Sequence, residues 1–181
     1  MRYADIQIET ERLILRPFAA DDAEIWFKIM SSPSVTRYWS HLPWQSIKDA
    51  KEDIINDIAQ MQKNAGLRLA VIEKQSQLMI GMCMFFDHHE ASRRGEIGYC
   101  LDEDKQGKGY MQEAMQAFIH CLQSQLLIRR LEADIHPENQ GSAALLAKLG
   151  FEQEGYLKQR WIVGDEISDS IIYGLLLPEL V

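Results

Sequence analysis

The spacing of the hydrophobic residues changes along the chain and predicts a strand followed by two helices. Residues 6–17 are rich in β-compatible apolar residues and predict the strand. The next apolar residues recur at helical spacing, in a helix that Asp21 or Asp22 can cap and that Pro33 ends. A second helix of the same kind is closed by Gly66. The first part of the chain is therefore predicted as β-α-α.

Three apolar runs in the middle of the chain predict an antiparallel meander. Residues 67–73 and 78–86 flank a short polar stretch, which is typical of a hairpin connection. Residues 96–101 form the third run and follow a charged turn at residues 87–95. Gly98 lies inside this third strand, where a glycine marks a bulge or a close approach of the backbone.

The remaining third of the chain returns to mixed helical and strand patterns. Apolar residues from Met111 to Leu122 recur at helical spacing, and residues 130–136 alternate as a strand. A short helix over residues 139–148 and a final hairpin that turns at residues 164–165 complete the chain. The predicted order is β-α-α-β-β-β-α-β-α-β-β. This order predicts an α+β fold, with a mixed, mostly antiparallel sheet of six or seven strands and about four helices.

The composition is typical of one globular domain that spans residues 1–181, with 46% hydrophobic and 25% charged residues. The N-terminus has no apolar signal segment and no run is long enough to span a membrane, so we expect a cytoplasmic protein without a membrane partner. A formal net charge of -8 repels phosphate backbones, which disfavours nucleic acid and favours cationic substrates.

Neither the cysteines nor the histidines predict a metal site. Cys83, Cys100 and Cys121 lie in apolar runs without a CxxC pair, so we expect small buried side chains without disulfides. His88 and His89 are adjacent on a predicted turn, where they point apart, and no third ligand stands at zinc spacing. No metal is expected.

The segment with the most informative chemistry is the polar loop that joins the strand at residues 96–101 to the following helix. It contains Gly107 and Gly109 just before the helix begins. The first N–H groups of a helix have no intrahelical acceptor and the helix dipole is positive there, so a phosphate fits such a place. A nucleotide P-loop is excluded, because no Ser or Thr follows Lys108.

Residues 106–111, Gln-Gly-Lys-Gly-Tyr-Met, resemble the Q/R-x-x-G-x-G/A signature of the GCN5-related N-acetyltransferases, the GNAT superfamily. Further segments in the same order resemble the RimJ/RimL-like branch, which includes ribosomal-protein N-terminal alanine and serine acetylators; they are residues 11–17, residues 96–99, Asn139 with Ser142, and residues 148–151. The resemblance implies the GNAT fold and direct transfer from acetyl-coenzyme A (acetyl-CoA) to a primary amine. The expected acceptor is a protein or peptide N-terminal α-amino group.

The resemblance also implies which residues hold the cofactor. Backbone groups of Tyr99, Cys100 and Leu101 would pair with the pantetheine arm as a further strand would. Backbone amides of the glycine loop would grip the pyrophosphate; the loop residues are Gln106, Gly107, Lys108, Gly109, Tyr110 and Met111. Met111 stands where the family has Gly or Ala, so its side chain must point away from the cofactor.

Glu96 is the candidate general base, acting through a water, because it is a carboxylate at the start of an apolar central strand. The resemblance implies the same position. A peptide α-amine, with a pKa of about 8, loses its proton more easily than a lysine, at about 10.4. The alternative is that Glu96 pairs with Arg93 or Arg94 as a solvated charge.

The resemblance places Asn139 and Ser142 beside the pantetheine and its sulfur. In much of the superfamily a tyrosine on this helix protonates the thiolate, but Leu146 stands at the matching position. Ser142 could deliver that proton, directly or through water. Alternatively, Asn139 caps the helix and Ser142 decorates its first turn, while bulk water protonates a thiol whose pKa is about 8.5.

The sequence leaves four questions open. Four aromatic residues could line an acceptor pocket or pack in the core: Tyr38, Trp39, Trp44 and Trp161. A small amine, an amino acid or an antibiotic could replace the peptide as acceptor, because no motif fixes that choice. A non-catalytic CoA-binding module is the third alternative, supported by Met111 and the missing tyrosine. Both a monomer and a homodimer are compatible with the sequence.

Overall fold

The computed structural model describes residues 2–179, whose strands form one continuous sheet. The eight strands of this part are β1 (Ile8–Glu9), β2 (Leu13–Pro17), β3 (Leu67–Glu73), β4 (Met79–His89), β5 (Arg94–Leu101), β6 (Arg130–Ile135), β7 (Glu152–Val163) and β8 (Glu166–Leu176). Its five α-helices are α1 (Ala23–Met30), α2 (Pro33–Thr36), α3 (Ile47–Gln62), α4 (Tyr110–Leu126) and α5 (Gln140–Lys148).

The sheet is antiparallel except at one pair of strands near its centre. The strand order is β1-β2-β3-β4-β5-β6-β8-β7, and β5 and β6 are the parallel pair. Helix α4 supplies the crossover that a parallel pair requires. The predicted α+β fold with a mixed, mostly antiparallel sheet is confirmed. The predicted order of elements is also correct, except for one additional strand and one additional short helix.

The additional strand arises because the predicted strand over residues 6–17 folds back on itself. β1 and β2 pair as a hairpin, with Ile8 opposite Leu15. Thr10 closes the turn, since its N–H donates to the Leu13 carbonyl at 3.0 Å and its Oγ1 accepts the Leu13 N–H at 3.0 Å. A threonine hydroxyl that bonds to nearby backbone stabilises a turn rather than a strand.

Pro33 and Asp22 do not act as predicted at the ends of the first helix. Helix α1 already ends at Met30, and Pro33 begins α2, where its missing N–H costs nothing. Asp22 precedes α1 without making a capping bond to it. Its carboxylate instead accepts bonds of 2.7 and 2.8 Å from Arg16 and one of 2.7 Å from the Ala19 N–H.

The bulge predicted at Gly98 lies elsewhere. Strand β4 extends to His89, beyond the predicted end, and its register with β5 shifts between Phe86 and His89. Asp87 absorbs the extra residue with a φ of 50°. Gly98 pairs regularly with Met84, and a Cβ at Gly98 would lie 2.7 Å from the Met84 Cε atom. Gly98 therefore makes room for a side chain.

Hydrophobic cores lie on both faces of the sheet. Helices α4 and α5 cover one face, around Phe85 and Phe118, and helices α1 and α3 cover the other, around Trp26 and Ile54. The predicted apolar stripe of α4 is buried: Met111, Ala114, Met115, Phe118, Cys121 and Leu122. All three cysteines are buried and free. Among residues 2–179, no helix has both the length and the apolar character to cross a membrane.

The parallel pair at the centre of the sheet separates soon after it forms. β5 and β6 pair at only three positions, where Arg94 meets Arg130, Gly95 meets Leu131 and Glu96 meets Glu132. Beyond Glu96, both strands continue without pairing to each other, β5 to Leu101 and β6 to Ile135. A gap therefore opens in the sheet at Glu96 and widens towards the starts of α4 and α5.

Candidate functional site

The edge of β5 that faces the gap carries unpaired backbone groups. Cys100 is opposite Met82 of β4, and the Asp102 N–H donates to the Ile80 carbonyl at 2.8 Å. Backbone groups alternate along an antiparallel ladder, so Cys100 bonds towards β4, whereas Tyr99 and Leu101 direct their N–H and C=O groups into the gap. An extended amide-bearing ligand could pair with this edge.

The glycine loop stands at the mouth of the gap. Gly107 and Gly109 have φ values of 72° and 80°, a left-handed conformation that glycine adopts without strain. Gly109 is also the residue before the first turn of α4. Within residues 2–179, the N–H groups of residues 107–112 have no protein acceptor. These donors and the positive end of the α4 dipole can together bind a pyrophosphate.

Arg12 braces the loop from the β1–β2 turn. Its Nη1 donates to the Lys108 carbonyl at 3.0 Å, and its Nε donates to the Glu113 carboxylate at 2.6 Å. The guanidinium also stacks over the Tyr110 ring, 4.5 Å from the ring centroid. Gln106 holds the other end of the loop through a 3.2 Å bond from its Nε2 to the Leu101 carbonyl. The sequence marks residues 11–17 as a family motif but does not predict the contact between Arg12 and the loop.

Glu73, a buried carboxylate, ties the β3–β4 hairpin to both ends of the loop. It accepts hydrogen bonds of 2.6 Å from Lys105 and Ser76 and one of 2.5 Å from the Tyr110 hydroxyl. These bonds, the one from Lys105 above all, lower the pKa of Glu73 to about 2. Tyr110 was predicted to contribute its backbone, and the role of its side chain was missed.

Met111 points into the core, where its Sδ lies 3.8 Å from the Cys83 Sγ. The residue is 8% exposed, so its side chain does not narrow the outer face of the loop. Lys108 lies on that outer face, and its Nζ donates to the Asp104 carbonyl at 2.7 Å. Met111, which stands where the family has Gly or Ala, therefore leaves the outer face of the loop open.

Helix α5 begins beside the same gap. Asn139 caps it, because its Oδ1 accepts the Ser142 N–H at 3.1 Å, and the cap leaves the Asn139 amide nitrogen free to donate. The Tyr99 hydroxyl lies 3.5 Å from the Ser142 carbonyl, and burial raises the pKa of Tyr99 to about 12. Leu146 is completely buried in the core. Ser142 and Tyr99 thus bring two hydroxyl groups to the start of α5.

Glu96 stands where the gap opens and is half-buried. Burial raises its pKa, and the negative charges of Asp87, Asp134 and Glu132 raise it further. Arg94 pairs with Glu132 at 3.3 Å, so it is not the partner of Glu96. A carboxylate with a raised pKa and no ion pair within residues 2–179 is a stronger proton acceptor than an ordinary carboxylate and is suited to act as a general base.

The residues at this gap match a known family of enzymes. The model of the "Acetyltransferase (GNAT) domain" family matches residues 12–152, which include Arg12, Glu96, the glycine loop and α5. The chain belongs to the GNAT family. It is 35% identical over 172 residues to p20 of Bacillus licheniformis, an uncharacterized N-acetyltransferase, and the match covers 94% of this chain and 96% of p20.

A second curated relative and a solved structure resemble this GNAT protein over most of its length. It is 26% identical over 185 residues to the ribosomal protein uS5 alanine N-acetyltransferase of Escherichia coli, across 96% of this chain and 92% of that enzyme. Its fold matches the solved structure of RimL, the ribosomal L7/L12 α-N-protein acetyltransferase, in complex with coenzyme A. The TM-score is 0.84, at 22% identity over 95% of this chain and 98% of the RimL chain. The family match and the similarity to p20 identify the protein as an N-acetyltransferase.

The aromatic residues of this GNAT protein divide between the core and the gap. Trp39 and Trp44 pack against the core under α1, and the ring of Trp44 meets that of Trp26 edge-on at 5.7 Å. Tyr38 instead stacks on His136 at 5.0 Å, just beyond the end of β6. Trp161 of β7 donates from Nε1 to Asp134 at 3.1 Å. Tyr38 and Trp161 therefore flank the face of β6 that lies next to Glu96.

The two adjacent histidines bind separate partners. The Tyr3 hydroxyl lies 3.0 Å from the Nδ1 of His88, and the Nδ1 of His89 accepts the Ser92 N–H at 3.1 Å. Both belong to β4 rather than to the predicted turn, and successive strand residues point to opposite faces. In the described part of the chain, no three His, Cys, Asp or Glu residues are grouped so that they could hold a metal ion.

Proposed function

We propose that this GNAT protein transfers the acetyl group of acetyl-CoA directly to the N-terminal α-amino group of a protein or peptide. The observation that carries the proposal is the gap between β5 and β6, which opens at Glu96 and has the free N–H groups of the glycine loop at its mouth. A cofactor with a pyrophosphate, an amide-bearing arm and a terminal thioester fits that order of groups.

The cofactor would be held mostly by backbone groups. The N–H groups of residues 107–112 would bind the pyrophosphate, and the free backbone groups of Tyr99 together with the Leu101 N–H would pair with the pantetheine amides. The Asn139 side-chain amide, free on its nitrogen, would donate to the same arm. Because Arg12 and Glu73 brace the loop before any ligand arrives, little of the binding energy is lost in ordering it.

The acetyl thioester of the bound cofactor supplies the group to be transferred. Glu96, through a water, takes one proton from the ammonium of the acceptor and passes it to solvent. The amine nitrogen then forms a C–N bond to the acetyl carbon, the C–S bond breaks, and the sulfur leaves as a thiolate. The raised pKa of Glu96 brings proton transfer from an α-ammonium closer to balance.

After the C–N bond has formed, the nitrogen gives its second proton to water, and the thiolate gains one proton. The half-buried Ser142 hydroxyl is our candidate to relay a proton to sulfur, with water as its source. The Tyr99 hydroxyl lies 3.5 Å from the Ser142 carbonyl and has a pKa of about 12. It therefore stays protonated at neutral pH and can donate a hydrogen bond. Neither group requires a tyrosine at Leu146.

An α-amino acceptor is supported by chemistry and by one relative. An α-ammonium, with a pKa of about 8, needs less help from a carboxylate than a lysine at about 10.4. The 26% identical Escherichia coli relative is an alanine N-acetyltransferase of a ribosomal protein. We therefore place alanine- and serine-initiated peptides first among the acceptors.

The proposal is tested by thiol release from acetyl-CoA with a panel of amines. We expect release with alanine- and serine-initiated peptides and none with the same peptides blocked at the N-terminus. Thiol release only with small amines, amino acids or antibiotics would show that the acceptor is a small molecule rather than a protein or peptide. In parallel, acetyl-CoA at 100 times its Kd should stabilise the fold by about 2.7 kcal/mol. Stabilisation without turnover of any amine would favour a binding module instead.

A further inference from the structure

The face of the sheet that carries Glu96 continues onto β6. Glu132 is paired in register with Glu96, and Asp134 lies two residues further on, so both direct their side chains to the same face as Glu96. The intervening residues, Leu131 and Ala133, are buried on the opposite face. Because β5 and β6 separate after Glu132, Asp134 borders the gap.

One carboxylate oxygen of Asp134 accepts two hydrogen bonds, and the other accepts none from residues 2–179. Its Oδ2 accepts a 3.0 Å bond from the Arg160 Nε and a 3.1 Å bond from the Trp161 Nε1. Its Oδ1 has no protein partner within residues 2–179, although the side chain is only 13% exposed. A carboxylate fixed through one oxygen presents the other in a defined direction.

A bulge in β7 delivers the two donors to Asp134. The register between β7 and β8 shifts between Leu157 and Trp161, where Gln159 has a φ of 50°. Asp169 fills the bulge, accepting the Gln159 N–H at 2.7 Å and the Tyr156 hydroxyl at 2.5 Å. The β7 bulge and its contacts with Asp169 lie outside residues 12–152, the segment that the GNAT family model matches.

A buried hydroxyl on the neighbouring strand points to the same face. Ser170 of β8 is completely buried, and its Oγ has no hydrogen-bond partner among residues 2–179. Ile172 is the register partner of Asp134, so Ser170, two residues before it, shares that face and lies next to His136. A buried hydroxyl without a partner is costly unless a ligand bonds to it. Because a ligand in the gap cannot reach the buried Ser170 Oγ, the open Oδ1 of Asp134 is the atom of this pair that is available to a polar ligand.

The charged residues around Asp134 and Glu96 indicate the charge of the ligand. Arg94 pairs with Glu132, and Arg160 pairs with Asp134, but Glu96 has no such cation among residues 2–179. We propose that Asp134 binds the ammonium of the acceptor through Oδ1 and so selects cationic amines. This inference rests on the proposed acetyl transfer. It makes Asp134 a specificity-determining residue, separate from the proton transfer at Glu96.

Asp134→Asn tests the inference, with Glu152→Gln on the exposed start of β7 as a control for the loss of one negative charge. A hydrogen bond to a charged group contributes about 1.5–3 kcal/mol, so we expect Asp134→Asn to raise the KM for a cationic peptide acceptor about ten- to hundredfold. The KM for acetyl-CoA should stay unchanged. An acceptor amine that is uncharged at neutral pH should lose no affinity.

An unchanged acceptor KM in Asp134→Asn, or an equal loss with charged and uncharged amines, would overturn the inference but leave acetyl transfer intact. A wild-type protein that acetylates no amine would overturn both. Ser170→Ala is a buried control on the same face, since it removes a hydroxyl that has no partner among residues 2–179 and is not accessible from the gap. Its acceptor KM should equal that of the wild type, and a rise as large as that of Asp134→Asn would contradict a specific contact at Asp134.

Discussion

Arg12 and Glu113, 101 residues apart in the chain, form a 2.6 Å salt bridge that joins the β1–β2 turn to the first turn of α4. The same guanidinium donates to the Lys108 carbonyl at 3.0 Å. The backbone between these two contacts carries the N–H groups proposed to bind pyrophosphate. Arg12 is therefore a positioning residue for the cofactor loop.

Arg12→Ala should weaken cofactor binding without impairing the chemical step. Loss of hydrogen bonds that position the loop amides should raise the KM for acetyl-CoA about five- to tenfold. The kcat at saturating acetyl-CoA should change less than twofold. Arg2→Ala, which removes an exposed pair with Asp5, is the matched control and should leave both constants unchanged. A fall in kcat with an unchanged KM would contradict a positioning role.

The carboxylate of Glu73 should make the stability of the fold depend on acid pH. Its pKa is about 2 in the folded protein, below the ordinary value, so its contribution is present at neutral pH and is lost as the pH falls from about 4.5 towards 2. Urea unfolding should show a difference between the wild type and Glu73→Gln that shrinks over this range. Glu24→Gln on exposed α1 is the control. A difference independent of pH would contradict the assigned bonds.

Asp57 should have the opposite effect on stability. It forms an ion pair with Arg68 beside Asp53, and burial raises its pKa to about 6. A pKa raised by folding gives stability that is complete below about pH 4 and is lost as the pH rises through 6. Relative to the wild type, Asp57→Asn should therefore gain stability between pH 4 and pH 7 in chemical denaturation. A constant difference across this range would show that burial does not dominate.

Met111→Ala distinguishes a role of this side chain in the core from a role in the cofactor site. Because the side chain packs against Cys83 inside the core, truncation should leave a cavity and destabilise the fold by about 2–5 kcal/mol. The KM for acetyl-CoA should not change, because the outer face of the loop stays as it was. Thermal denaturation and steady-state kinetics on one preparation test both statements. A lower KM with unchanged stability would mean that Met111 narrows the cofactor site.

The sequence predicted the order of elements well, because hydrophobic period reports directly on strands and helices. It misplaced the bulge of β4, since the left-handed Asp87 leaves no mark in that period. It also took residues 6–17 as one strand, because the Thr10 turn contains neither Gly nor Pro. Such local backbone choices depend on bonds that form only when the strands pair.

The site was predicted in part. Glu96 and the glycine loop are adjacent in sequence to recognisable strands and helices, and the structure brings both to one gap. The braces were missed because Glu73 and Arg12 reach the loop from distant segments. Asp134 was missed for the same reason, since its donors depend on the β7 bulge, which no local pattern indicates.

The most direct test of the central claim is the pH dependence of acetyl transfer in Glu96→Gln. With a serine- or alanine-initiated peptide, kcat/KM should fall at neutral pH by about 10²–10⁴-fold, the usual contribution of a general base. It should approach the wild-type value at high pH, where the α-amine is already neutral. Glu90→Gln on the neighbouring exposed turn should behave as the wild type. A Glu96→Gln profile that coincides with the wild type at every pH would contradict the account.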